Sequence, residues 1–214
     1  MKQLNSKDIL GILESIKGLM RENKDWLIKL DAQNGDGDLG LSMDSGFSKT
    51  YNAMRNIEEK DLGRFMLNVS RTFNEAAPST MGTLLSIGFM GIAKHLKGKT
   101  EASLADLTDG MKKGIDAIME KGGAKPGEKT IIDSLYPAML ALKKASEANK
   151  RMLESFEDAE KAAYEGMLKT KEMKSVHGRA AYYKDTSIGV QDGGATVGML
   201  MVRGTLNYIR KIEN

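Results

Sequence analysis

The chain of 214 residues contains no cysteine, which excludes disulfide bonds, thiolate metal sites and cysteine nucleophiles. It has little excess charge, since 32 basic residues stand against 29 acidic ones and the net charge is +3. No stretch concentrates Lys and Arg, so the sequence predicts no nucleic-acid partner. It also lacks both a signal peptide after Met1 and an apolar run of membrane-spanning length. We therefore expect a cytoplasmic protein with no membrane partner.

Strand signals are also missing. Valine is scarce, β-branched residues do not cluster, and no segment alternates convincingly between apolar and polar residues. Apolar residues instead recur at three- and four-residue steps, as in Ile9, Leu13, Ile16 and Met20. The pattern predicts an all-α protein with eight helices, at about 6–29, 41–57, 61–76, 82–97, 103–121, 129–148, 152–172 and 193–212. No Pro- or Ser-rich linker divides the chain, so residues 1–214 are expected to form one domain.

The connections between these helices are mostly short, so successive helices should pack as antiparallel neighbours. Pro137 falls inside the sixth helix and should kink it or shift its start. Three longer loops, residues 31–40, 122–130 and 175–196, break the regular pattern. Loops on a rigid scaffold are where function tends to lie, so these three carry the candidate sites.

The first loop contains three carboxylates, those of Asp31, Asp36 and Asp38, with Gly35 and Gly37 among them. Converging carboxylates repel one another unless a cation lies between them, and hard oxygen ligands suit magnesium or calcium. An EF-hand alignment fails, because it places leucine where the loop needs glycine and serine where it needs glutamate. The remaining alternative is an Asp- and Gly-rich turn that caps the second helix. We favour the metal site.

The second loop, GGAKPGEKT, nearly matches a phosphate-binding P-loop, but Glu128 intrudes before Lys129 and Thr130. A P-loop also follows a strand, whereas here an amphipathic helix precedes the glycines. The P-loop interpretation is therefore rejected.

Residues 30–40, LDAQNGDGDLG, resemble the L-D-x-x-x-G-D-x-D-x-G signature of the L (nucleotide-binding) subunit of dihydroxyacetone kinase, the DhaL family. The resemblance implies a barrel-like bundle of eight antiparallel helices with a nucleotide at one rim. It also implies that Asp31, Asp36 and Asp38 bind two Mg²⁺ ions, which bridge the phosphates of ADP or ATP. The family commonly has His where this chain has Leu39.

Three further motifs occur in family order. Residues 122–133 are similar to G-x-A-x-x-G-D-K-T-x-x-D, with Glu128 in place of the first Asp. Residues 78–89 are similar to a glycine-rich turn, with Met81 where the family often has serine. HGRAAYY and QDGGAT resemble G-R-A-x-Y and D-P-G-A, with Gly193 in place of proline. The resemblance thereby implies a set of nucleotide-binding residues, namely Ser79, Thr80, Gly82, Gly127, Thr130, Arg179, Asp192 and Gly194.

Several of these residues also have structural interpretations. Ser79 and Thr80 are typical helix caps, and Asp192 suits both the N-cap of the last helix and a nucleotide contact. Arg179, the candidate catalytic residue, can form a bidentate contact with a transferred phosphate. The alternative is a solvated or carboxylate-paired side chain. His177 lies in the third loop without a positioned partner, so it is not assigned a catalytic role.

The implied function is that of a kinase subunit that passes phosphate from magnesium-bound nucleotide to a short ketose on a separate K subunit. The expected donor is a protein of the phosphoenolpyruvate-dependent phosphotransferase system, and a homodimer is a further option. One alternative is the ATP-dependent L subunit of a related tetrulose or ketose kinase. Another is a non-catalytic nucleotide-binding regulatory paralogue, motivated by Leu39, Met81 and Gly193. A third is a helical interaction module that binds no nucleotide.

Overall fold

The structure, a computed structural model, describes residues 3–213, so Met1, Lys2 and Asn214 of the predicted domain lie outside it. The described residues form nine α-helices and no strand, which confirms the all-α prediction. The helices are α1 Ser6–Glu22, α2 Lys24–Asn34, α3 Leu39–Met54, α4 Leu62–Ala76, α5 Thr80–Leu96, α6 Leu104–Gly122, α7 Ile132–Glu147, α8 Met152–Lys169 and α9 Gly193–Glu213. Two 3₁₀ helices, Thr170–Glu172 and Arg179–Ser187, lie between α8 and α9.

Eight of these helices form a closed ring. The order around the ring is α1, α3, α4, α5, α6, α7, α8 and α9, and α9 packs against α1 to close it. Gly204 of α9 makes the closing contact tight, because a Cβ there would lie 2.7 Å from the Ile16 side chain. Successive helices run in opposite directions, so the starts of α3, α5, α7 and α9 lie together at one end. We call this end the rim.

The ninth helix, α2, arises because the predicted helix 6–29 is divided at Asn23. The Asn23 side chain donates to the carbonyl oxygen of Leu19 over 2.9 Å, and its backbone leaves the helical region. Asparagine often competes with helix hydrogen bonds in this way. The second piece extends to Asn34 and packs against α3, outside the ring. It thereby places Asp31 at the rim.

The interior of the ring is apolar. Phe47, Phe73 and Phe89 pack edge to face, with ring centroids 4.8 to 6.4 Å apart. Next to them lies a cavity of about 180 Å³, lined by aliphatic and aromatic side chains such as Leu85 and Phe156. Pro137 lies inside α7, as predicted. No helix among the described residues has the length and apolar character needed to cross a bilayer.

Candidate functional site

The acidic loop, residues 31–38, connects the last turn of α2 to the start of α3. One carboxylate oxygen from each of Asp31, Asp36 and Asp38 lies within 4.8 Å of the other two. The chain turns back at Gly37, whose φ of 75° lies in the left-handed region that glycine adopts without strain. The backbone N–H of Asp38 donates to Asp31 Oδ2 over 3.1 Å, which fixes the turn.

The charges of this loop are only partly balanced. Partial burial raises the pKa of Asp38, and the neighbouring carboxylates of Asp36 and Asp31 raise it further. The guanidinium of Arg179 opposes this shift, since its Nη1 lies 2.5 Å from Asp36 Oδ2. Three hard oxygen ligands that repel one another fit a divalent cation such as Mg²⁺. The structure thus brings together the predicted metal ligands and the predicted catalytic arginine.

The start of α5 is organised by Ser79, which caps the helix as its structural interpretation predicted. Its hydroxyl accepts from the N–H of Gly82 over 3.1 Å and from the hydroxyl of Ser42, on α3, over 2.7 Å. Thr80 is the first residue of the helix. At Gly82 a Cβ would collide with the carbonyl oxygen of Ala77, so the glycine is needed for the close approach of the preceding turn. The free N–H groups of the first turn of α5 therefore face the rim.

The loop before α7 is held by the buried carboxylate of Asp133. Its Oδ1 accepts from the N–H of Gly127 over 2.5 Å, and its Oδ2 accepts from that of Thr130 over 2.7 Å. Lys129 has a φ of 60°, so the helix cannot begin at residue 129 as predicted and starts at Ile132. The predicted nucleotide contacts Gly127 and Thr130 thus bind the protein's own carboxylate through their backbones.

The start of α9 is capped by Asp192, whose Oδ2 accepts from the N–H of Ala195 over 2.6 Å. Its own N–H donates to the Thr170 hydroxyl over 3.0 Å, which connects α9 to the end of α8. Burial raises the pKa of Asp192 to about 7, and the Ala195 hydrogen bond opposes this shift. The predicted contact Gly194 lies buried directly beside this cap.

We call residues 173–187 the arginine loop, because it carries Arg179. It lies over the acidic loop, and its two tyrosines border a surface cleft lined by Asn34, Gly35, Arg179, Tyr182 and Tyr183. Tyr182 is 86% exposed. His177 of the same loop has a partner that the sequence did not reveal, since its Nε2 lies 2.6 Å from Glu128 Oε2. The hydrogen bond with His177 lowers the pKa of Glu128.

Three of the four departures from the family pattern, Leu39, Met81 and Gly193, lie around the start of α9. A Cβ on Gly193 would lie 2.7 Å from Leu39 Cδ2, and one on Gly194 would lie 2.8 Å from Met81 Cε. Leu39 is only 7% exposed and belongs to the core. Leu39 of α3 and Met81 of α5 therefore both approach the first turn of α9, at two neighbouring glycines.

The sequence analysis did not predict the contacts of several residues that organise the rim, namely Ser42, Lys129, Asp133 and the pair of Glu128 with His177. For Asp133 a local signal existed, because it follows Thr130 by three residues and can reach back to that backbone. For Lys129 no local signal existed, because its partners lie 44 and 58 residues away.

Comparisons with known proteins identify the family of the chain. The model of the DAK2 domain family matches residues 33–207. The ADP-binding subunit DhaL of the PEP-dependent dihydroxyacetone kinase of Escherichia coli (strain K12) is 30% identical over 94% of this chain and 95% of that subunit. The ADP-binding subunit DhaL of the PTS-dependent dihydroxyacetone kinase of Lactococcus lactis is 34% identical, over 82% of this chain and 83% of that subunit.

Longer proteins also contain a region like this chain. The L-erythrulose 1-kinase of Mycolicibacterium smegmatis is 30% identical over 92% of this chain, which spans 34% of that enzyme. The crystal structure of the dihydroxyacetone kinase from C. freundii in complex with AMP-PNP and Mg²⁺ superposes with a TM-score of 0.75 at 20% identity. That likeness covers 97% of this chain and 35% of the other, and it shows a shared fold. The family match over residues 33–207 and the full-length subunit relatives together establish that the chain belongs to the DAK2 domain family, as its resemblance to L subunits predicted.

Proposed function

We propose that this chain is the nucleotide-binding, phosphoryl-transferring subunit of a dihydroxyacetone (glycerone) kinase and acts with a separate K subunit that holds the ketose. One observation carries the proposal: the carboxylates of Asp31, Asp36 and Asp38 converge within 4.8 Å, with Arg179 against them. The E. coli and L. lactis relatives, which are named ADP-binding subunits, support it.

Asp31, Asp36 and Asp38 are the residues that would hold Mg²⁺, in our proposal two ions, between the protein and the phosphates of ADP or ATP. The metal would supply charge neutralisation at the phosphates. The chain's own contribution is positioning, which is what phosphoryl transfer mainly requires of a protein. Arg179 already lies at Asp36 and can reach a phosphate held beside it. Residues 1–214 would act as one domain.

The remaining predicted nucleotide-binding residues fall into two groups, those free to contact a phosphate and those already used by internal hydrogen bonds. The N-terminus of α5, with Thr80 and Gly82 in its first turn, presents N–H groups and a partial positive charge to a phosphate. Ser79, Gly127, Thr130 and Asp192 are used by internal hydrogen bonds, so in our proposal they shape the site around the ligand. Gly194, beside Asp192, lets α9 start close to α5.

The phosphoryl donor that we propose is a protein of the phosphotransferase system, because the matching full-length relatives are named PEP- or PTS-dependent. Native mass spectrometry of the purified protein tests this, since a subunit that is rephosphorylated in place should retain ADP. An empty protein that exchanges free ATP would favour the tetrulose or ketose kinase alternative, which the erythrulose kinase relative motivates.

Activity requires the ketose-binding partner. We expect no phosphorylation of dihydroxyacetone by the purified chain and clear turnover after addition of a K subunit together with a phosphoryl donor. Asp36→Asn should abolish that turnover, whereas Asp116→Asn, an exposed aspartate on α6, should leave it unchanged. Nucleotide binding without any transfer would instead support the regulatory paralogue that Leu39, Met81 and Gly193 motivate. A homodimer and a cytoplasmic location stay predictions.

A further inference from the structure

Lys129 connects two distant parts of the rim through its ammonium group. Its Nζ donates to the carbonyl oxygen of Met173 over 3.1 Å and to that of Ser187 over 2.5 Å. These two carbonyls belong to the first and the last residue of the arginine loop. The lysine residue is 4% exposed, so the contact is made inside the protein.

The surroundings of this ammonium are built to hold a cation. Burial lowers the pKa of Lys129, and the nearby carboxylate of Asp192 opposes that shift. A buried charge is costly unless hydrogen bonds or an opposite charge compensate it. Here two carbonyl hydrogen bonds do so, and Asp192 adds an opposite charge when it is ionised. The backbone of Lys129 also lies in the left-handed region, which a lysine keeps only where its surroundings hold it.

Other contacts within the arginine loop are weaker or local. The ion pair of Lys174 with Asp185 crosses the loop over 2.8 Å, but both side chains are largely exposed. Exposed pairs of this kind contribute little. The N–H of Ser175 donates to the Ser187 hydroxyl over 2.9 Å, which joins the same two ends that Lys129 holds. Lys129 reaches the loop from the α6–α7 connection, as Glu128 does where it pairs with His177. Lys129 differs from Glu128 because it is buried and bonds both ends of the loop.

We propose that Lys129 is a positioning residue. Its ammonium holds together the two ends of the arginine loop through two hydrogen bonds, which we call the clasp, and so keeps Arg179 over the acidic loop. The role of Arg179 in this inference rests on the proposed function, whereas the clasp itself does not. Loss of the ammonium leaves the buried carbonyl group of Ser187 and the partly buried one of Met173 without their donor. The loop should then open far more often while the ring stays folded.

Chymotrypsin measures this opening directly, because Tyr182 and Tyr183 lie within the loop. We expect Lys129→Met to be cleaved there at least about tenfold faster than the wild type, the scale set by loss of hydrogen bonds from a charged donor. Cleavage in the helices should not accelerate. Lys174→Met, which removes the exposed pair across the same loop, is the matched control and should change cleavage less than about twofold. Wild-type cleavage of Lys129→Met, or equal acceleration throughout the chain, would overturn the proposal.

A second variant keeps the test decisive if Lys129→Met does not fold. Lys129→Met/Asp192→Asn removes both buried charges and leaves no unpaired carboxylate, while asparagine retains the cap of α9. The same selective cleavage is expected, and protection equal to that of Asp192→Asn alone would refute the clasp. Lys129→Arg, which keeps the charge and several donors, should restore most of the protection.

Binding of ADP with Mg²⁺ separates positioning from general destabilisation. If Lys129 acts through Arg179, Lys129→Met should weaken binding in the wild-type background and have no further effect in Arg179→Ala. Additive losses would contradict the positioning role. Absence of ADP binding by the wild type would refute the proposed function, whereas the cleavage result would still decide whether the clasp exists.

Discussion

The eight helices of the ring, which we call its wall, and the rim are stabilised by different interactions. In the wall, Phe47, Phe73 and Phe89 pack edge to face around an apolar interior. At the rim, buried polar groups satisfy one another, as when Asp133 accepts two backbone hydrogen bonds. The acidic loop is the exception at the rim, since its three carboxylates are compensated only in part, by the Asp38 N–H and by Arg179. The difference indicates that the wall determines stability, while the acidic loop retains an unfavourable charge arrangement that a ligand can relieve.

The largest effect on stability should come from the wall. Phe73→Ala removes the ring that contacts both other phenylalanines and should lower the free energy of unfolding by about 3–5 kcal/mol. Urea denaturation followed by circular dichroism measures this loss. Phe73→Leu, which leaves a much smaller cavity, is the control and should cost clearly less than Phe73→Ala. At temperatures where Phe73→Ala is folded, its ADP affinity should remain that of the wild type. A large loss of ADP affinity would show that the wall and the rim do not have separate roles.

Asp192 gives the rim a measurable pH dependence. Its pKa of about 7 in the folded protein lies above its ordinary value of 3.8, so the folded state binds the extra proton between these values. Stability should therefore fall as the pH rises from about 4 to about 7, by roughly 2–4 kcal/mol, and stay level above that. Asp192→Asn keeps the cap and should gain stability relative to the wild type across this window. A difference in the free energy of unfolding between the two proteins that does not vary with pH would show that the pKa of Asp192 is not raised.

Arg179→Ala should separate function from stability at the rim. The arginine side chain is 65% exposed, so its removal should change the free energy of unfolding by less than about 1 kcal/mol. Turnover with a K subunit should fall by about 100-fold, because phosphoryl transfer depends on positioned cationic groups. Arg71→Ala, an exposed arginine on α4, serves as the control and should leave turnover unchanged. Unchanged turnover in Arg179→Ala would remove the arginine from the site.

The smallest expected effect is a gain in stability from a substitution in α1, a helix of the wall. Gly18 lies inside α1, and a Cβ there would meet no atom within 4 Å. Gly18→Ala should therefore stabilise the protein by about 0.5–1 kcal/mol, since glycine weakens a helix interior. The midpoint of thermal unfolding should rise by a few degrees at most. A lower midpoint would show that the absence of a side chain at Gly18 contributes to the stability of the folded state.

The wall could be predicted from the sequence and much of the rim could not, for physical reasons. Apolar periodicity within α1 or α9 is a local property, so it indicated the helices and their buried faces. The division at Asn23 depends on one side-chain hydrogen bond, and the late start of α7 depends on the left-handed backbone of Lys129. Neither changes the periodicity, so neither was visible in it.

The acidic loop is an intermediate case. Asp31, Asp36 and Asp38 are close in sequence, and the glycines between them made their convergence predictable. The contact of Arg179 with Asp36 joins residues far apart in the chain. The family resemblance placed both residues at one nucleotide site, but it did not predict that they pair with each other. The contact of Leu39 with Gly193 is of the same kind, and the sequence showed both residues without showing that they meet.

Calorimetric titration of ADP into the protein, with and without Mg²⁺, tests the central claim most directly when the wild type is compared with Asp38→Asn. We predict tight ADP binding that requires Mg²⁺. In Asp38→Asn the ADP affinity should fall by more than the roughly 10–100-fold that is typical when a residue supporting a metal ligand is mutated. The variant should be at least as stable as the wild type, because the neighbouring carboxylates and burial already raise the pKa of Asp38. Binding that is independent of Mg²⁺, or equal in the two proteins, would contradict the account.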